Sequence, residues 1–238
     1  MPLKSAAPDG YQFYWMANER SKSARRTLEW TIPQLERFGI VPPAKILSAG
    51  CGNGQDVLTL REQGYATFGV DIAFNGYPGG YFATASGSCL PFAAGFFDAV
   101  VSLEVIEHVD FDGRGNRKKY SQELQRVTKP GGLIVLATPN RYFPIDEHGD
   151  PIRIHSPFES GTLSYRELRS LFSQCSAYPL NPAKYFAFRR FARIAGEWCP
   201  WVLESVSNFL GSKALQASPL NPHLYVGFVK KQNELQTI

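Results

Sequence analysis

Cysteine is sparse in this 238-residue sequence and never closely spaced: Cys51, Cys89, Cys175 and Cys199 form no C-x-x-C pair. Neither a disulfide framework nor a cysteine-built zinc site is therefore expected, and reduced thiols are the default. No uninterrupted apolar stretch approaches bilayer-spanning length, and the opening MPLKSAAPDG lacks the apolar core of a secretory signal. These absences predict a cytoplasmic protein. Dense positive charge is missing too. Lys and Arg number 25 against 21 Asp and Glu, a net charge of +4, and the densest basic run is Arg117-Lys118-Lys119. Charge thus gives no reason to expect a nucleic acid partner. Internal repeats and low-complexity segments are also lacking.

What remains is an ordinary globular composition, with 44% hydrophobic and 19% charged residues. Helical spacing runs from about Asn18 to Phe38 and stops at Gly39 and Pro42-Pro43. A strand over Ala44–Leu47 leads through a glycine loop into a helix at Gly54–Gln63, and Tyr65–Asp71 returns as a strand. This β-loop-α-β unit implies parallel strands joined by a right-handed crossover. A weaker strand is expected at Phe82–Ala85, a buried one at Asp98–Leu103, a helix at Lys119–Val127 and another apolar strand at Leu133–Thr138. Strands apolar throughout belong in a sheet covered on both faces. The fold class is α/β, a doubly wound, mostly parallel sheet that binds ligands beyond the carboxyl ends of its strands. The long loop Pro139–Gly161 begins at such an end. Ser164-Tyr165-Arg166-Glu167 then reads as a capping box, and Leu224–Val229 as a terminal strand.

The loop Ser48-Ala49-Gly50-Cys51-Gly52-Asn53-Gly54-Gln55-Asp56 suits close approach of backbone to a nucleotide-like ligand, since glycine carries no Cβ. The dinucleotide fingerprint needs a glycine where Gln55 stands; the pattern here is G-x-G-x-G, through Gly50, Gly52 and Gly54. Asp71 ends the next strand, where its carboxylate can accept from two ribose hydroxyls.

Four segments in order, ILSAGCGNGQD, GVDIA, LPFAAGFFDAVVSLEVIEHV and LQRVTKPGGLIVLATPN, resemble motifs of the class I S-adenosylmethionine-dependent methyltransferases, above all those acting on small molecules and lipids. The resemblance covers about Ala44 to Asn140. It implies a Rossmann-like, seven-stranded sheet with an antiparallel terminal strand, and S-adenosyl-L-methionine as cofactor. It places Ser48, Gly50, Cys51, Gly52 and Gly54 along the cofactor's methionine portion, Asp71 at its ribose and Ile72 at its adenine. Ser86, Gly87 and Ser88 fall in the segment beside the adenine, and Leu103 and Glu104 where the fourth strand opens onto the site. Ser48 and Ser86 depart from the pattern: each stands where the family usually has an acidic residue. Serine accepts a hydrogen bond without a carboxylate's charge-assisted strength.

Methyl transfer from a sulfonium chiefly needs alignment, with a general base when the acceptor is a hydroxyl or protonated amine. Glu104, Glu107 and His108 share a face if a helical turn follows the strand. The segment resembles the E-x-x-E-H stretch of quinone-pathway O-methyltransferases, which implies a metal or proton-handling role; a positioning role is favoured here, with no metal. His155, in RIHSPFESG, resembles a loop histidine of several O-methyltransferase groups, where it would take the acceptor's proton. Tying down backbone is its other reading. Catalytic candidates are therefore His155, His108 and Glu104, with His148 a lesser one. Asn140, Arg141 and Tyr142 are candidates to line the acceptor pocket, Arg141 for an anionic acceptor or as a solvated charge.

The aromatic, basic segment Phe186–Leu210 reads as a helical insertion packed on the core, a peripheral membrane contact being the alternative. Tyr11, Phe13, Tyr14 and Trp15 either close over the cofactor or staple the first helix. The expected organisation is one domain, with a helical cap at 11–40 and an insertion at about 186–212. The expected function is methyl transfer, more to oxygen than to nitrogen or carbon, on a small or lipid-like acceptor. A cofactor-binding, non-catalytic partner protein is the alternative, motivated by Ser48 and Ser86. A nicotinamide-dependent oxidoreductase comes third.

Overall fold

A computed structural model of the chain describes residues 19–73, 79–110, 115–143, 145–146, 153–154, 161–180 and 223–232, with isolated positions between 201 and 221. The expected first helix is present as three joined pieces: α1 (Glu19–Arg26), a π turn (Thr27–Thr31) and α2 (Ile32–Arg37). Pro33 explains the wide turn. Its ring nitrogen has no proton to donate and crowds the preceding turn, so the helix loosens just ahead of it, with the Ile32 N–H reaching back to the Thr27 carbonyl.

The β-loop-α-β unit follows as β1 (Lys45–Ala49), α3 (Gln55–Glu62) and β2 (Ala66–Asp71). Then come β3 (Phe82–Thr84), β4 (Phe97–Leu103), α4 (Asn116–Val127) and β5 (Thr128–Pro139). A short ladder joins β6 (Ile145–Asp146) to β7 (Arg153–Ile154). Last are α5 (Tyr165–Leu171), β8 (Cys175–Pro179) and β9 (His223–Lys230). The capping box at α5 forms as expected: Ser164 Oγ accepts from the Glu167 amide, and the Glu167 carboxylate accepts from the Ser164 amide.

The main sheet has seven strands in the order β3-β2-β1-β4-β5-β9-β8. β1 pairs parallel with β2 and β4, β2 with β3, and β4 with β5; β9 runs antiparallel to both β5 and β8. The expected mostly parallel sheet with one reversed strand is what forms. β8 is the strand that periodicity alone did not single out. CSAYP is short, lies on the edge and buries only its first residue fully.

Alternation along each strand builds two cores. Leu47, Val70, Val100, Ile134 and Leu136 face α4 and α5, where Tyr120, Leu124, Leu168 and Phe172 pack. Their neighbours Ile46, Ala99, Val101, Leu133 and Val135 face the other way, onto Trp30, Leu35 and Leu60 of the π turn, α2 and α3. Both faces are dry, which is why these strands are apolar through most of their length. No helix among the described residues is long and apolar enough to cross a membrane.

Candidate active site

β1, β2 and β4 end together at one edge of the sheet, where the glycine loop turns from β1 into α3. Gly50, Gly52 and Gly54 all have positive φ, at 81°, 53° and 79°. A Cβ at Gly50 would lie 2.3 Å from Val105 Cγ2, so a side chain there would collide with the turn that follows β4. Around Gly52 the space is open. The loop is pinned from below: the amides of Gly50 and Cys51 both donate to the Val70 carbonyl, at 2.7 and 3.1 Å.

Asp71 closes one side. Its Oδ2 accepts from the Gly52 amide at 2.8 Å and its Oδ1 from the Ala73 amide at 3.1 Å. Each carboxylate oxygen has two acceptor positions, so each keeps one for a hydroxyl. That is the arrangement a ribose diol needs, and the residues present fit a nucleoside cofactor. Ile72, beside it, is 64% exposed, as a residue flanking a base must be. Ser86 is likewise exposed and Ser88 half-buried, their hydroxyls 3.0 Å apart. Gly87 between them leaves room for the buried Tyr120 ring, which a Cβ would approach to 2.4 Å. Tyr120 fastens the floor of the site, its hydroxyl 2.8 Å from Ser102 Oγ and 3.3 Å from the Ala49 carbonyl. Burial pushes that phenol far above its ordinary range.

Ser48 is buried at the end of β1, and its hydroxyl donates to Asp56 Oδ2 in the first turn of α3. Asp56 is itself only 9% exposed. Burial pushes its carboxyl up, while the Ser48 hydroxyl, the Arg26 charge and the nearby amides of Val57 and Asp56 pull it down. A carboxylate is thus present beside Ser48 after all, delivered from the helix instead of the strand. Sequence reasoning missed it because Asp56 looks like an ordinary first-turn helix acid.

At the carboxyl end of β4, Glu104 adopts a φ of 57°, the one non-glycine residue among those described with a positive φ. Turns, not a helix, follow it. Glu104 and Glu107 nevertheless come together. Burial, then the Glu104 charge, pushes the Glu107 carboxyl well above its ordinary value, and Thr138 Oγ1 donates to Glu107 Oε2 at 2.9 Å. His108 is one-third exposed and stands 3.9 Å from Glu107 Oε1. The close imidazole is instead His223, 2% exposed at the start of β9, with Nε2 3.1 Å from Glu104 Oε2. Sequence reasoning passed over His223 because only the sheet order brings β9 beside β5. Among the described residues, no three His, Cys, Asp or Glu side chains are grouped to hold a metal ion.

Two expectations for the acceptor side change. Arg141 is partly exposed but committed elsewhere, donating to Glu167 Oε1 at 2.7 Å and to the Thr162 carbonyl at 2.8 Å. Asn140 is buried and ties β5 to the carbonyls of Ser218 and Asn221, at 2.9 and 2.8 Å, instead of lining a pocket. Tyr142 is exposed. His148, His155, the N-terminal aromatics and most of 186–212 lie outside the described residues. Of that insertion, Trp201 and Phe209 are described, and both are exposed, at 69% and 64%, against the expectation of core packing there. A cavity of about 550 Å³, lined by Lys118, Gln122, Arg126 and Lys230, sits at the opposite, amino edge of the parallel strands and is remote from this site.

A family model described as "Methyltransferase domain" matches residues 31–183. The chain belongs to the methyltransferase-domain family. Its expected membership of the class I S-adenosylmethionine-dependent enzymes thereby holds. Uncharacterized methyltransferases of Mycobacterium tuberculosis are 36% identical over 102 residues, 39% of this chain and 38% of theirs. A tRNA (carboxymethyluridine(34)-5-O)-methyltransferase of Arabidopsis thaliana is 33% identical over 124 residues, 48% of this chain and 28% of that protein. The match therefore spans under two fifths of these curated relatives' length. Among solved structures, a chain from the complex of the Haloferax volcanii Trm112 methyltransferase activator and a methyltransferase aligns with a TM-score of 0.60 at 16% identity, covering 95% of this chain and 100% of that one. The Burkholderia thailandensis 1,6-didemethyltoxoflavin-N1-methyltransferase, with bound S-adenosylhomocysteine, aligns at 0.53 and 14% identity, covering 94% and 83%. At such identities the two structures speak for the fold alone.

Proposed function

We propose that the chain transfers a methyl group from S-adenosylmethionine to an oxygen atom of a small or lipid-like acceptor. The observation that carries the cofactor half is Asp71, whose two carboxylate oxygens each hold one backbone amide at the rim of the glycine loop and keep one acceptor position open. S-adenosylmethionine supplies a methyl carbon on a sulfonium, and a neutral thioether leaves. Gly50, Cys51, Gly52 and Gly54 bring backbone against the methionine portion. Ile72 and the Ser86-Gly87-Ser88 segment flank the adenine.

Oxygen as the acceptor atom is supported by the ionisable groups at the end of β4, because a hydroxyl must shed its proton as it attacks. Glu104 is the group for that proton, held in place by His223 behind it. His108 is too exposed and too far from the carboxylates to share the task closely. His155 remains the second candidate, on its sequence context. The Arabidopsis relative, named for 5-O-methylation of tRNA, also supports oxygen, and makes an RNA acceptor an outcome to test despite the weak charge. Because Asp56 places a carboxylate beside Ser48, the serine no longer argues for a non-catalytic partner protein.

Calorimetry with S-adenosylmethionine, S-adenosylhomocysteine and NAD tests the cofactor: binding of the first two and not the third is expected, and tight NAD binding would overturn the reading. Turnover against hydroxylated small molecules, lipids and tRNA then decides the acceptor; methylation of amines alone would remove oxygen from the proposal.

A further inference from the structure

The cavity of about 550 Å³ beside α4 and α5 has no part in the proposed reaction. Its volume is that of an ordinary small-molecule site. Lys118, Gln122, Gln125 and Arg126 line it from α4 at i, i+4, i+7 and i+8 spacing, and so share one helix face. Leu171 at the end of α5 and Lys230 at the end of β9 complete its walls. Gln125 Nε2 donates to the Leu171 carbonyl at 3.1 Å, which ties the two helices together there.

The lining is one-sided in chemistry. Among the described residues it holds three cations and no carboxylate, and Leu171 is its one apolar side chain. Glu123, outside the lining, answers one of those cations, Arg126, at 2.6 and 2.8 Å. Lys118 and Lys230 form no ion pair with any described residue. Lys230 Nζ donates to the carbonyls of Gln125 and Thr128, both at 2.7 Å. The third of its protons meets no acceptor among the described residues. Partial burial holds this ammonium below its ordinary value, a cost that an anion beside it would offset.

Two unanswered positive charges suit a dianion. Ammonium and guanidinium groups only donate, and the Gln122 amide and Ser173 hydroxyl add further donors, whereas phosphate-ester oxygens chiefly accept. With so little apolar surface, the lining offers nothing for a base or an acyl chain to pack on. It suits a ligand remainder made of hydroxyl groups.

We propose that this cavity binds a small phosphorylated polyol of the sugar-phosphate class, its phosphate accepting from Lys230 in the field of Lys118 and Arg126. The site shares no residue with the cofactor site, so the inference stands apart from the proposed function.

Calorimetry on the full chain with glucose 6-phosphate and glycerol 3-phosphate is the test, with glucose, glycerol and potassium chloride at matched ionic strength as controls. Saturable binding of a phosphate ester and of no control is expected. Lys230→Gln should weaken it by roughly tenfold or more, the loss expected for a hydrogen bond to a charged group. Gln122→Glu adds a carboxylate at an exposed helix position and should also weaken it, which decides the matter if Lys230→Gln fails to fold. Both variants should keep S-adenosylhomocysteine affinity within about twofold of wild type, because the two sites are independent. No saturable binding of either ester, or binding that neither substitution weakens, would overturn the proposal. Inorganic phosphate binding as tightly as the esters would overturn the polyol assignment.

Discussion

Glu104 Oε2 and His223 Nε2 stand 3.1 Å apart at the carboxyl edge of the sheet, one just past β4 and the other opening β9. His223 is buried, the Glu104 side chain is only 9% exposed, and Glu107 adds a second, buried carboxyl beside them.

Removing the imidazole should therefore cost stability as well as activity. His223→Ala leaves Glu104 buried without its partner, and a loss of about 3 kcal/mol in urea unfolding is expected. His223→Gln, which keeps a polar side chain facing Glu104, should recover much of that stability but not turnover. Full activity in the glutamine variant would confine His223 to a structural role.

Glu107 sets a pH dependence. Its folded carboxyl titrates well above the ordinary 4.5, with burial and the Glu104 charge as causes, while Glu104, His108 and Thr138 face it and the Arg117 guanidinium binds its backbone carbonyl. A folded-state value raised above the unfolded one means that the native chain holds the proton longer. Stability is then fully present below about 4.5 and falls as pH rises toward the folded value. Glu107→Gln has no such proton to lose, so unfolding free energies followed from acid to neutral pH should decline less steeply in it than in wild type. Parallel profiles would mean that another group governs this range.

The ribose contact has its own signature. Asp71→Ala removes both acceptors and also frees the Gly52 and Ala73 amides. S-adenosylhomocysteine affinity should drop by roughly 100-fold, from two lost hydrogen bonds to a charged group. Unchanged affinity in calorimetry would move the ribose elsewhere.

Close approach at the glycine loop is testable without any ligand. Gly50→Ala introduces a Cβ against Val105 and a side chain at a φ of 81°. A loss of about 2–3 kcal/mol in unfolding free energy is expected. Adding Val105→Ala removes the collision but not the backbone strain, so about half of the loss should return. No recovery would assign the whole effect to the backbone.

The order of local elements was legible in the residues themselves. The strands around β1, β2, β4, β5 and β9, the capping box at Ser164 and Glu167 and the positive-φ loop at Gly50 to Gly54 each carry their signal in neighbouring side chains or backbone needs. Asp71 was legible for the same reason, because the end of a strand after a glycine loop is a fixed place in a β-loop-α-β unit. What the sequence could not supply was any meeting that depends on sheet order. His223 reaches Glu104 only because β9 inserts beside β5, and Asp56 reaches Ser48 only because α3 folds back over the end of β1. Arg141, a candidate ligand by its position after β5, is occupied because α5 docks close enough to offer Glu167 and the Thr162 carbonyl. Periodicity reports which face of an element is buried; which buried charges then share one dry volume is decided by how the elements pack.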